Sequence, residues 1–244
     1  MHTRRLNNQS GFSLFELIIA MGITVVILGL ASTLLAGSFN IRSREDRKSD
    51  AIADVQRALN IMTREISNAG MKLPVGLPSV SSNGLVAGDS DNQSIRVVSN
   101  LNGMPDSASG YFEDSDVDDT DEDVKFLMYV DADRGQRYIV RYEKNGSSQT
   151  TVLANRIDSL IFRYYDEKVT YDTTVNSDGT CDITNVVNAA GTAETEVSPA
   201  SAKFVVIAVG VTLPSVGALG STGYQPASQV QLTSDIVLRN SIVY

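Results

Sequence analysis

The chain of 244 residues has one cysteine, Cys181, one histidine, His2, no tryptophan and six prolines. A single cysteine excludes an intrachain disulfide framework and a multi-cysteine zinc site. With imidazole confined to position 2, a chain that lost its first residues would have no Ser-His-Asp or Cys-His catalysis, and few transition-metal sites. Basic side chains are outnumbered as well, 20 against 29 acidic, for a net charge of −9. A protein held on nucleic acid by neutralising phosphates has the opposite balance, so nucleic acid is not an expected partner. These scarcities speak against most common enzyme classes.

What is present is unevenly placed. Leu17–Ile41 is a run of 25 residues without a charge, mostly Leu, Ile, Val, Ala and Met. About 20 apolar residues cross a bilayer core as a helix, so this run is long enough to span one. Arg4 and Arg5 precede it; Arg42, Arg44, Arg47 and Lys48 follow it. Both flanks are basic, so a near-flank count does not set the orientation. Without residues 1–41 the chain keeps 18 basic and 28 acidic side chains. The length and the 42% hydrophobic content fit one folded domain plus this non-globular element.

Glu16 stands at the mouth of the run, in Gly11-Phe12-Ser13-Leu14-Phe15-Glu16-Leu17. A carboxylate in hydrocarbon costs about 2.5–3.5 kcal/mol even on lenient scales, so it takes a partner. Cleavage between Gly11 and Phe12 would create one. The new α-ammonium would lie one helical turn from Glu16, at a helix N-terminus where an acid is already favoured. The same ammonium on a neighbouring subunit would serve equally, making Glu16 a register mark for assembly.

Beyond the run the helix continues. Ile52, Val55, Leu59, Met62 and Ile66 recur at steps of three and four and define one apolar stripe. Asp50, Asp54, Arg57, Arg64 and Glu65 fall off it. Ala69-Gly70 is a C-cap composition and Pro74 ends any helical reading. A helix from Phe12 to Ala69 would be roughly 85 Å long.

Strands are expected at Ser94–Ser99, Lys125–Val130, Tyr138–Tyr142, Thr150–Leu153, Ile157–Tyr165, Lys203–Leu213 and Gln229–Leu238, all rich in β-branched or aromatic residues. Turn compositions at Asp131–Gln136 and Lys144–Ser147 suggest an antiparallel meander. One helix followed by strands makes the fold class α+β, a mainly antiparallel sheet head on the amphipathic half-helix. Residues 74–93, 100–123 and 172–201 read as loops or insertions.

A short basic leader ending in Gly11, then Phe-Ser-Leu-x-Glu-Leu and about 20 apolar residues, resembles the class III signal of type IV prepilins and type II secretion pseudopilins. The resemblance covers residues 4–36. It implies that a prepilin peptidase cuts after Gly11, that Phe12 becomes the N-methylated terminus, and that Glu16 pairs with a neighbour's terminus in a filament. The expected divisions are then a leader at 1–11, a transmembrane and filament-core half-helix at 12–41, an amphipathic half-helix at 42–70 and an extracytoplasmic β-rich head at 71–244. The implied location is the inner membrane, crossed once with the head periplasmic, and afterwards the filament. The partners implied are other pilin or pseudopilin subunits. A secretory signal peptide, cut near Ala36, would have a shorter apolar core and no role for Glu16. An ordinary signal anchor leaves Gly11-Phe12 and Glu16 as accidents.

Met62–Met71, Val152–Asp166 (read as a late strand pair) and Ile236–Asn240 resemble the PilW-type minor pilins and the related J-type minor pseudopilins. That likeness implies a low-abundance subunit of a priming or tip complex. A tip-displayed adhesin or ligand-binding head on a pilin stalk is the other reading, its site expected in the loops at 100–123 and 172–201.

No cofactor is expected. Glu113–Asp123 holds eight carboxylates in 11 residues with no basic partner, and calcium is the cation such oxygens would take. The run lacks the alternating order, turn glycine and closing glutamate of an EF-hand, and reads as a solvated acidic loop. Cys181, with no histidine to activate it, reads as an unpaired loop residue rather than a nucleophile.

Overall fold

In the computed structural model, residues 12–74, 76–101, 116–145, 149–176, 178, 180–221 and 223–241 are described. Helix α1 runs Leu14–Ser67, close to the expected span. With no proline before Pro74, nothing breaks its backbone ladder. Just past its end Gly70 adopts φ +78°, and its N–H donates to the Val98 carbonyl at 2.9 Å. A left-handed residue just past the last turn closes a helix, and glycine does so without a Cβ penalty. Gly84, at φ +80°, lies against it: a Cβ at Gly84 would fall 1.9 Å from the Gly70 nitrogen.

The chain forms two compact units, one comprising the helix up to Asp46 with Ser215–Pro226, the other Arg47–Pro214 with the chain from Ala227 on. In the second unit the apolar stripe is buried as its spacing requires. Val55, Ala58, Leu59, Met62, Ile66 and Ala69 are each at most 5% exposed.

The strands follow in chain order: β1 Ser94–Val98, β2 Asp123–Asp131, β3 Gln136–Glu143, β4 Thr150–Asn155, β5 Ser159–Tyr165, β6 Val169–Val175, β7 Cys181–Asn188, β8 Phe204–Leu213 and β9 Ser228–Val237. The first four make an antiparallel meander in sequence order. The β2–β3 turn is built as its composition indicates: the Asp131 side chain accepts from the Asp133 and Arg134 N–H groups at 3.0 and 3.2 Å, and Gly135 takes φ +61°. A second antiparallel sheet has the order β5-β8-β9. Its central strand, β8, is buried on both faces, which is why it is an almost unbroken apolar run. Val205, Ile207 and Val209 join the core that holds the helix stripe, Phe126 and Phe162. Phe204, Val206 and Ala208 face a second cluster with Tyr165, Val169, Cys181 and Ile183.

Two expectations are corrected here. Residues 172–201 are not simply a loop, because β6 and β7 form a hairpin that covers the second face of β8. Its exposed strand positions are Thr170, Asp172, Thr173, Thr174 and Asn185, and only Val169, Cys181 and Ile183 are buried. A hairpin that buries so few side chains has too little apolar alternation to stand out. Nor are the strands within Val152–Asp166 a pair: β4 ends the first sheet and β5 begins the second. Arg156, at φ +57°, turns the chain between them.

Candidate functional site

The candidate site is the start of α1 and the half-helix that follows. Gly11, the expected cleavage position, lies outside the described residues. Phe12 is 90% exposed, and Ser13 is the last residue before the helix. The Ser13 Oγ accepts from the Phe15 N–H at 3.3 Å, while Glu16 Oε2 accepts from the Ser13 N–H at 3.1 Å. This pair is a variant of the capping box, with the serine on the Phe15 amide rather than on that of Glu16, and it satisfies two amides that a helix start otherwise leaves orphaned. Ser13-Leu14-Phe15-Glu16 carries its signature, serine followed three residues later by glutamate. Glu16 thus has a local task at the helix start besides the electrostatic one expected of it.

From Leu17 to Ile41 the large apolar side chains face outward, with Ile19 at 45% and Val25 at 68% exposure. The candidate span is 0% buried over its most apolar window. Four hydroxyl residues interrupt it, and each donates to its own helix backbone: Thr24 to Ala20 O at 2.7 Å, Ser32 to Leu28 O at 2.8 Å, Thr33 to Leu30 O at 2.8 Å and Ser38 to Leu34 O at 3.1 Å. In hydrocarbon no water satisfies a polar group, so hydroxyls closed on the helix's own carbonyls are what a lipid-facing segment requires. By its length, composition and outward apolar surface this half-helix is long and apolar enough to cross a membrane.

In the second unit two half-buried arginines, Arg96 and Arg141, organise the charges. Arg96 grips Asp123 with a bidentate fork, Nε to Oδ1 and Nη2 to Oδ2 both at 2.7 Å, and bonds Asp89 through Nη1. That hydrogen bond holds the Asp89 carboxyl below its usual range. Arg141 on β3 reaches Glu65 of α1, Nε to Oε2 at 2.9 Å, and also pairs with Asp121 and Glu143. Burial pushes the Glu65 carboxyl up, and the Arg141 hydrogen bond opposes the shift without cancelling it. Glu65, which falls off the apolar stripe, is therefore a helix-to-sheet tie.

The acidic run is described only from Asp116; Glu113–Ser115 lie outside the described residues. Asp116, Asp119 and Glu122 bring carboxylate oxygens within 4.8 Å of one another. Glu122, 1% exposed, is already in use: Oε1 accepts from the Leu101 N–H at 2.7 Å and Oε2 from the Asp119 N–H at 3.3 Å. Cys181 is buried, and burial pushes its thiol up, the reverse of an activated nucleophile.

Residues 6–32 match the family described as the prokaryotic N-terminal methylation motif. That match brackets Gly11, Phe12 and Glu16 and identifies the N-terminal segment as a type IV pilin-like class III signal. With the α+β architecture of a long N-terminal apolar helix and antiparallel sheets, the chain is pilin-like. No curated protein and no solved structure matches it.

Proposed function

We propose that this chain is a minor type IV pilin, a low-abundance subunit that helps to start a pilus filament. Prepilin peptidase cuts between Gly11 and Phe12, Phe12 is N-methylated, and the apolar half-helix then moves from the inner membrane into the filament core. The observation that carries this is an outward-facing apolar half-helix, its hydroxyls self-satisfied, placed directly behind a methylation motif. Such a surface is stable only in lipid or among other apolar helices, and assembly exchanges the first for the second. Glu16 leaves the Ser13 amide to meet the methylated amine of a neighbouring subunit. The minor and priming role is supported by the PilW-like segments at Met62–Met71 and Ile236–Asn240 and by the length of the chain. A J-type minor pseudopilin of a type II secretion system would use the same parts.

The test is deletion of the gene, with complementation by the native chain and by Gly11→Val. Filaments should vanish on deletion and return only with the native chain. Mass analysis should show a native terminus at N-methylated Phe12 and an unprocessed Gly11→Val chain. Filaments that persist without the gene exclude the priming role, and a terminus elsewhere excludes the processing.

A further inference from the structure

Ser215–Pro226, the connection between β8 and β9, folds onto α1. A Cβ at Gly223 would lie 2.6 Å from the Gly37 Cα, so two backbones touch, and Gly37 is buried in an otherwise exposed stretch. Gly217 sits against the Asn40 amide, where a Cβ would meet Nδ2 at 3.2 Å. Arg44 Nη1 donates to Gln225 Oε1 at 3.2 Å. Gly37, Asn40 and Arg44 are spaced by three and four residues and share one helix face. The loop is closed by reciprocal hydrogen bonds between Val216 and Gln225, at 3.0 and 2.9 Å, and by Ser221 N–H to Ala218 O at 2.9 Å. Next to that turn Leu219 is 85% exposed.

The height of this seat matters. About 20 helical residues cross the hydrocarbon core. With Glu16 at one boundary, the core ends near Gly37, and Gly37–Arg44 occupy the headgroup layer. Residues 204–234, which include the loop, carry no charge, in a chain whose net charge is −9. An acidic loop at that height would be repelled by an anionic surface and costly to desolvate; this one offers a leucine, three glycines and Tyr224, a residue type enriched at membrane interfaces.

We propose that Ser215–Pro226 is a membrane-surface foot: Leu219 enters the boundary between headgroups and acyl chains, and the Gly223–Gly37 contact sets the depth of the helix. This rests on the reading of Leu17–Ile41 as a bilayer span. The occupant is the lipid surface beside the protein's own anchor.

The full chain, with Leu219→Cys carrying an environment-sensitive fluorophore, is reconstituted at low density into vesicles of phosphatidylethanolamine and phosphatidylglycerol. Cys181 is buried and stays native. Nitroxide lipids placed at shallow depth should quench the label at least about twofold more than deep ones. The same label at Ile27→Cys should be quenched most by the deep nitroxide. An unquenched label at position 219 with a quenched one at 27 overturns the foot and leaves the span standing. Both unquenched overturns the span and the foot together. Shielding at 219 that grows with protein density, indifferent to nitroxide depth, assigns Leu219 to a second copy and overturns the lipid assignment.

Discussion

Glu16 Oε2 accepts a hydrogen bond from the Ser13 N–H at 3.1 Å, so the carboxylate closes its own helix start. The acid proposed to register assembly is thus held in a local bond that a neighbour's amine must displace. Capping needs an acceptor at this position, while pairing with an ammonium needs a charge. The two tasks separate by substitution.

Glu16→Gln keeps the capping acceptor and removes the charge. The variant should insert in membranes with an intact first turn, seen as slowed amide exchange there, yet fail to enter filaments by immunoblot of sheared pili. Ser13→Ala should loosen the helix start by about 1 kcal/mol and still incorporate. Incorporation of Glu16→Gln at the native level would remove charge from the account.

Arg141 ties β3 to α1 through Glu65, with 11% and 20% of the two side chains exposed. Arg141→Gln leaves half-buried Glu65 with only the exposed Arg64 at 3.9 Å and should cost about 3 kcal/mol in denaturant unfolding of the detergent-solubilised chain. Glu65→Gln should cost less, since it leaves no unpaired charge and Arg141 retains Asp121 and Glu143.

The same glutamate sets a pH dependence. Burial raises its folded value above the ordinary 4.5, so the folded state holds the proton more tightly than the unfolded chain. Its contribution is then full below 4.5 and is lost as pH rises through the folded value. Stability of the native chain relative to Glu65→Gln should therefore fall as pH rises above 4.5. Asp89 runs the other way: held below its ordinary 3.8 by Arg96, it contributes above that value and the contribution is lost in acid. Asp89→Asn should remove that acid-side loss.

Gly84→Ala would place a methyl into the Gly70 backbone at a left-handed position, φ +80°. The left-handed conformation alone costs about 1–2 kcal/mol, and the clash adds to it. A melting temperature lowered by several degrees or more is expected. Gly135→Ala, also left-handed but with nothing within 4 Å, should cost only the conformational part.

Calcium should not be needed for the fold. Both oxygens of Glu122 already accept backbone N–H groups, so hydrogen bonds hold this carboxylate in the loop without an ion. A chelator should leave the melting temperature unchanged; a rise on adding calcium would assign the Asp116–Glu122 cluster to the ion.

Much of this protein is legible in one dimension because its signals are local. An uncharged run long enough for a bilayer, a glycine before Phe12, an acid four residues on, and an apolar stripe at helical spacing each lie within a few turns of chain, and solvent or lipid enforces them directly. The β2–β3–β4 part of the meander was equally readable, its strands neighbouring in sequence and joined by turn compositions at Asp131–Gln136 and Lys144–Ser147. The β6–β7 hairpin was not: its strands are mostly Thr, Asp and Asn, and they are strands because β8 needs cover on its second face. The same holds for Glu65 as a tie to Arg141, 76 residues away, and for Gly223 seated on Gly37. Period and composition belong to the chain. Which distant surface each segment buries is decided only when the fold closes, because burial is a property of pairs of elements and not of either alone.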